Sequence, residues 1–329
     1  LEDIHKGRLD EQYEIIADHY ERSSNFEKTL QYLLLAGEKS NRHNAVQAAC
    51  DFFRKAYEMV AAGVISLDSE NMLKLHLGLA RSSLNIGDID TAAKHYRHAI
   101  ELSGSYRSTK DERKARLGLT AMMYMWPVRS EAESTLGEAL EWAKQGQDSH
   151  LESVALSTRG HLVAVYGQPE KGYELVCEGE RIAFEGGNPV ALSSARMVRS
   201  LMERWLGRPS RAVELTEGMF DALRRTYALT FLPIMVQSRG TALAEMGRVQ
   251  EAITLLKEGI EICEKFGASF RLGVLYNCLG YCYGEICQPV NAWKMNLKSE
   301  KIARRQMADS PMGRRGYAEM HAMATVNLM

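Results

Sequence analysis

The chain has 329 residues, 45% of them hydrophobic and 25% charged, and a formal net charge of −1 at pH 7. That balance argues against a nucleic-acid or membrane surface, which carries a basic excess. No apolar run approaches the ~18 residues of a membrane span. The six cysteines are scattered without disulfide-scaffold spacing and read as reduced thiols in a cytoplasmic protein. The opening LEDIHKGRLDE lacks the regions of a signal peptide. A chain that opens on Leu1 is expected to be part of a longer polypeptide.

Residues 9–22 place Leu9, Tyr13, Ile16 and Tyr20 on one helical stripe. A turn at Ser23–Asn25 leads to a helix over 26–41, and a third helix over 44–62 carries Ala48, Phe52, Ala56 and Met59. Together 1–68 read as an irregular N-terminal cap. Helices are then expected over 69–86 and 89–103, 112–126 and 129–145, 150–166 and 169–185, 189–206 and 209–225, 230–246 and 249–266, and 269–285 and 289–307. The tail over 308–329 is expected as one more helix, with Met312, Met320 and Met323 on one face. No stretch reads as strand, linker or low complexity.

A fixed register underlies this order. The string GRVQEA starts at Gly247, and counterparts start every 40 residues: GDIDTA at Gly87, PVRSEA at Pro127, GQPEKG at Gly167, GRPSRA at Gly207 and CQPVNA at Cys287. Five residues after each start stand Ala92, Ala132, Gly172, Ala212, Ala252 and Ala292. Seven before stand Ala80, Thr120, Gly160, Ser200, Gly240 and Gly280. Small residues at matched positions let two helices approach closely. Pro169, Pro209 and Pro289 sit two after the start, where a helix begins and its first N–H needs no partner. Pro189 and Pro311 follow the candidate N-caps Asn188 and Ser310, and Pro233 is expected in a first turn or at a kink. Six units of helix, tight turn and helix over 69–307 therefore make an all-α solenoid, one continuous domain with its cap and tail.

Gly240, Gly247, Ala252 and Gly259 fill the small-residue places of the tetratricopeptide repeat, and the array over 69–307 resembles that family, although the usual first-helix Trp is absent. The resemblance implies a right-handed superhelix of antiparallel helix pairs. The 40-residue unit is similar to the long repeats of bacterial signalling ATPases of the maltose-regulon activator type. The segment from Leu9 to Met59 resembles the region that follows the nucleotide-binding domain in bacterial class III adenylate or guanylate cyclases. His19-Tyr20-Glu21-Arg22, the run from Tyr32 to Lys39, and Phe52 to Ala56 carry that resemblance. It implies the C-terminal sensor or scaffold arm of a cyclase–ATPase regulator, with the catalytic residues outside this chain.

No Walker loop, GxGxxG, HExxH or GxSxG occurs, so no catalytic residue, cofactor or metal is expected. Cys278, Cys282 and Cys287 read as packing residues rather than zinc ligands. His95 and His98, three apart on one helix, read as solvated-face histidines. Arg159, Arg199 and Arg239 share a column and form a ladder. One reading gives a row of forks for an acidic ligand. The other pairs each with a helix-B carboxylate such as Glu174 or Glu214 and fixes the stacking. By analogy with the family, whose first helices line the concave side, the groove would take Arg81, Tyr124, Thr158, His161, Arg204, Trp205, Gln237, Asn277 and Tyr281. Aromatics with arginine are common binding anchors, though Trp205 also suits an inter-repeat core. The expected partner is a protein or peptide, including its own upstream catalytic domains or a second copy, with no nucleic acid and no membrane span. The alternative is a small-molecule inducer sensor of an ATPase-type transcription activator. A long open groove favours the first, and an aromatic-lined polar pocket favours the second.

Overall fold

In a computed structural model the described residues are 8–106, 109–126, 128–226, 231–268 and 271–309. Every regular element among them is a helix. The expected tail helix with Met312, Met320, Met323 and Pro311 lies outside them. The chain divides into two compact units, one of Leu1–Ile86 with Thr91–Ala115, the other of Gly87–Asp90 with Arg116–Met329.

In the first unit a 3₁₀ turn at Leu9–Gln12 leads into α1 (Tyr13–Arg22), then α2 (Phe26–Arg42), α3 (Val46–Ala61), α4 (Ser69–Ile86) and, from Thr91 on, α5 (Ile89–Tyr106). Asn25 caps α2 by accepting the Lys28 N–H at 3.2 Å. Ile16, Leu30, Leu33, Phe53, Leu75 and Leu79 form the core. Phe53 organises it. A Cβ on Gly37 of α2 would lie 2.7 Å from its ring, and a Cβ on Gly78 of α4 only 2.3 Å. The ring therefore fills the space that two missing side chains leave.

The first unit also buries a polar cluster. His76 of α4 and His95 of α5 meet Nδ1 to Nδ1 at 2.7 Å, so one ring donates and the other accepts. His98 lies 5.3 Å from His76, and Tyr57 of α3 packs edge-on to His95 at 4.8 Å, ring centre to ring centre. Burial holds His76 down to about 4 and His95 to about 3, with neighbouring cationic charge adding to both shifts. The surface reading therefore fails for His95, which is 2% exposed, and holds for the half-exposed His98. Helical spacing alone does not reveal that His76, nineteen residues earlier, faces the same way.

Beyond it come α6 (Thr109–Met122), which crosses from the first unit into the second and ends in a 3₁₀ turn at Met123–Met125, α7 (Arg129–Gly146), α8 (Ser149–Val165), α9 (Pro169–Glu185), α10 (Pro189–Trp205), α11 (Pro209–Leu215), α12 (Met219–Thr226), α13 (Leu232–Glu245), α14 (Val249–Phe266), α15 (Leu272–Glu285) and α16 (Pro289–Asp309). The turn column behaves as the register predicts. Gly167, Gly207 and Gly247 take left-handed φ of +91°, +72° and +76°. The next residue returns its N–H five positions back: Gln168 to Val163, Arg208 to Glu203 and Arg248 to Leu243, at 2.9–3.1 Å. That bond closes the helix end and aims the chain into the next helix. Asn188 accepts N–H bonds from Val190 and Ala191, and Pro233 sits in the first turn of α13.

One expected helix is broken. Residues 209–225 form α11 and α12 rather than one element, because Gly218 turns left-handed at φ +69°. The carbonyl of Val213, which a continuing helix would pair with the N–H of Glu217, instead accepts Arg239 Nη1 at 2.6 Å and the Thr216 N–H at 3.3 Å. Thr216 Oγ1 turns back to the Ala212 carbonyl at 2.8 Å. A hydroxyl and a guanidinium thus satisfy carbonyls that the break exposes.

Candidate ligand-binding site

The site lies within the second unit, on the first helices of successive repeats. Val154, Ser157, Thr158 and His161 occupy i, i+3, i+4 and i+7 of α8 and so share one face. Forty residues on, Ser194, Met197, Val198 and Leu201 repeat those offsets on α10. Ala121 of α6 and Ile234 of α13 continue two of the columns. Phe231, Tyr124 and Arg271 complete a narrow, partly open cavity. Four columns of a 40-residue register thus become one concave wall.

Arg271 takes a left-handed φ of +61° just before α15. Its Nη1 donates to Tyr124 Oη at 2.9 Å, and the guanidinium lies 5.1 Å from the centre of that ring. Tyr124 packs edge-on to His161 at 5.5 Å, and His161 meets Trp205 at 5.2 Å on its other side. Burial lowers His161 to about 4, and the Arg271 charge adds to the shift. Burial raises the Tyr124 phenol, opposed in part by Arg271. At neutral pH the site therefore presents one cation, a phenol and a neutral imidazole. Ser157, 2% exposed, has a buried hydroxyl with no hydrogen-bond partner.

Of the residues that the sequence nominates, Tyr124, Thr158 and His161 line this cavity, and Trp205, 44% exposed, stands at its edge behind His161. Arg204 reaches Glu245 at 2.9 Å, and exposed Tyr281 lies in the field of Glu285, Glu245 and Arg204. Gln237 is half-buried, with its side-chain oxygen unpartnered. Asn277 is buried and donates to Asn296 of α16 at 3.4 Å. Arg81 lies in the first unit, exposed, beside a separate open cavity with Arg42, Lys74, Tyr96, Lys110 and Lys114.

The arginine ladder divides three ways. Arg159 is exposed. Arg199 pairs with Glu180 at 2.7 Å and Glu203 at 3.3 Å and donates to Tyr173 Oη at 3.3 Å. Arg239 serves the break before α12. Sequence reasoning does not reach Arg271 or Phe231. They share a column, but its earlier members, Asp111, Leu151 and Ala191, include no aromatic and no cation that would mark it.

No protein-family model matches the sequence, and no curated protein matches it. Solved structures do. A Rap protein complexed with Competence and Sporulation Factor is similar at 14% identity over 85% of this chain and 76% of its own, with a TM-score of 0.63. The apo form of the quorum sensor NprR from B. thuringiensis is similar at 12% identity over 87% and 80%, with a TM-score of 0.57. At such identities the likeness shows the fold: an all-α solenoid of tetratricopeptide-type helix pairs.

Proposed function

We propose that this chain is a non-catalytic sensing module of a regulatory protein, with the Tyr124–His161–Arg271 pocket as its ligand site. The carrying observation is the pocket itself: concave, apolar in most of its wall, with a few convergent polar groups, the usual make-up of a small-ligand site. Its described lining holds no carboxylate and no thiol, so its polar groups suit recognition. The two similar structures support the reading, one being complexed with Competence and Sporulation Factor and one being a quorum sensor. The parent we infer is a bacterial cyclase–ATPase type regulator, on the resemblance carried by Leu9 to Met59. The wall comes from α6, α8, α10 and α13, and Arg271 leads into α15. A bound ligand would tie successive repeats together and favour one arrangement of the array, which the upstream domains would then read.

A screen of metabolites and short peptides by thermal shift tests this, run on the wild type and on Val198→Trp, which fills the cavity. A ligand at about 100 times its Kd adds about 2.7 kcal/mol, so true ligands raise the wild-type midpoint by several degrees and leave the filled variant unmoved. Hits that move both proteins equally would count against the pocket. A second reading has its own observation. Trp205 and Tyr281 are exposed, with the Arg204–Glu245 pair close to each, and such a patch suits a protein partner. Under that reading Trp205→Ala abolishes capture of the upstream catalytic domains while ligand binding survives.

A further inference from the structure

We propose that the pocket takes a small monocarboxylate joined to an apolar or aromatic body, with the carboxylate on Arg271. This rests on the sensor reading and names the chemistry of its ligand. The first argument is the state of Arg271. Arg199 and Arg204 end on carboxylates within the fold, and Arg239 ends on a backbone carbonyl. Among the described residues no carboxylate pairs with Arg271, whose recorded hydrogen bond goes to the neutral Tyr124 phenol. A guanidinium carries five donors in a planar fork, so most of this one stays available. Its half-buried position makes an uncompensated charge costly, and a carboxylate is the group that fits the fork two oxygens to two N–H groups.

The second argument is the company Arg271 keeps. The described lining contains no anion and no second cation. One positive charge matches a monocarboxylate better than a phosphate ester, which carries nearly two negative charges. The Tyr124 hydroxyl proton adds a neutral donor. The third argument is the remainder of the wall. Met197, Val198, Leu201, Phe231 and Ile234 offer nothing to a polar body and a good deal to an aliphatic chain or ring.

Two sources share this chemistry, a free organic acid and the C-terminus of a short peptide. Calorimetric titrations separate them. One arm uses 3-phenylpropionate, indole-3-propionate and octanoate, each against its primary amide. The other uses tripeptides ending in Phe or Leu, with a free or an amidated C-terminus. In the wild type the acid of at least one arm binds about tenfold or more tightly than its amide, the scale of losing a hydrogen bond to a charged group. The responding arm names the source. Arg271→Gln brings acid and amide within about twofold, and Arg271→Lys restores part of the gap, since it keeps the charge and loses the fork.

Equal binding of acid and amide to the wild type, blocked by Val198→Trp, overturns the carboxylate assignment and leaves the pocket standing. An acid preference that survives Arg271→Gln overturns the role of Arg271. If neither series binds, the carboxylate proposal is lost, and the thermal-shift screen still decides the sensor reading. The acid–amide comparison on the wild type needs no variant, so poor folding of a substituted protein does not shelter the proposal.

Discussion

Cys287 occupies the place that glycine holds in four earlier turns, at Gly87, Gly167, Gly207 and Gly247, and it adopts the same left-handed backbone, φ +55°. The turn it makes is the same as well, with Gln288 N–H on the Tyr283 carbonyl at 2.9 Å. A side chain in that region costs about 1–2 kcal/mol, partly offset because glycine loses more chain entropy on folding. Cys287→Gly is therefore expected to stabilise the protein by about 0.5–1 kcal/mol, read as a higher urea midpoint at unchanged slope. A lower midpoint would mean that the cysteine makes a compensating contact. The same register explains which pocket residues are legible. Thr158 and His161 stand on columns that recur every 40 residues, so knowing the face of one helix places them all. Arg271 is placed by a left-handed residue ahead of α15, and no sequence signal marks that conformation for an arginine.

Helix pairs differ in how they use their small columns, which ranks substitutions that look alike in sequence. In α8 and α9 the backbones themselves meet. A Cβ on Gly172 would lie 2.4 Å from the Gly160 carbonyl oxygen, and one on Gly160 2.5 Å from that of Gly172. In α13 and α14 a Cβ on Gly240 would instead meet the Leu256 side chain at 3.0 Å, and that side chain can turn aside. Gly172→Ala must push two helices apart and is expected to cost on the order of 1–3 kcal/mol. Gly240→Ala gains helix propensity of up to about 1 kcal/mol against its crowding and should fall within about 1 kcal/mol of wild type. Thermal unfolding of both variants decides it, and equal destabilisation would show that helix separation does not distinguish the pairs. The small columns are thus legible as small, but not as backbone contact or side-chain contact. The break between α11 and α12 is hidden for a related reason. Gly218 alone reads as a tolerated helical glycine, and the freed Val213 carbonyl is satisfied partly by the local Thr216 and partly by Arg239, 26 residues later.

At the scale of the whole chain, a period of 40 covers the array and stops short of the N-terminal helices, where irregular spacing hides which residues meet. The histidine pair there links folding to pH. His76 and His95 are held to about 4 and about 3 when folded, against about 6.5 in an unfolded chain. Below pH 6.5 the unfolded chain takes up protons that the folded one refuses, so stability falls as pH falls toward 4 and is fully present above 6.5. For two such groups the loss between pH 6.5 and 5 is on the order of 3 kcal/mol. The opposite direction, stability gained on acidification, would require a raised folded value, and among the described residues Lys94 and His98 beside the pair both disfavour added charge. Amide exchange in α4 and α5 should therefore quicken at pH 5 more than in α14, whose core of Ile253, Leu256 and Ile260 is apolar. A His76→Gln, His95→Gln double variant should start less stable at pH 7 and lose much of that extra pH dependence. If α4, α5 and α14 loosen in parallel and the double variant keeps the slope, acid sensitivity resides in other groups, and the pair is only a packed polar contact.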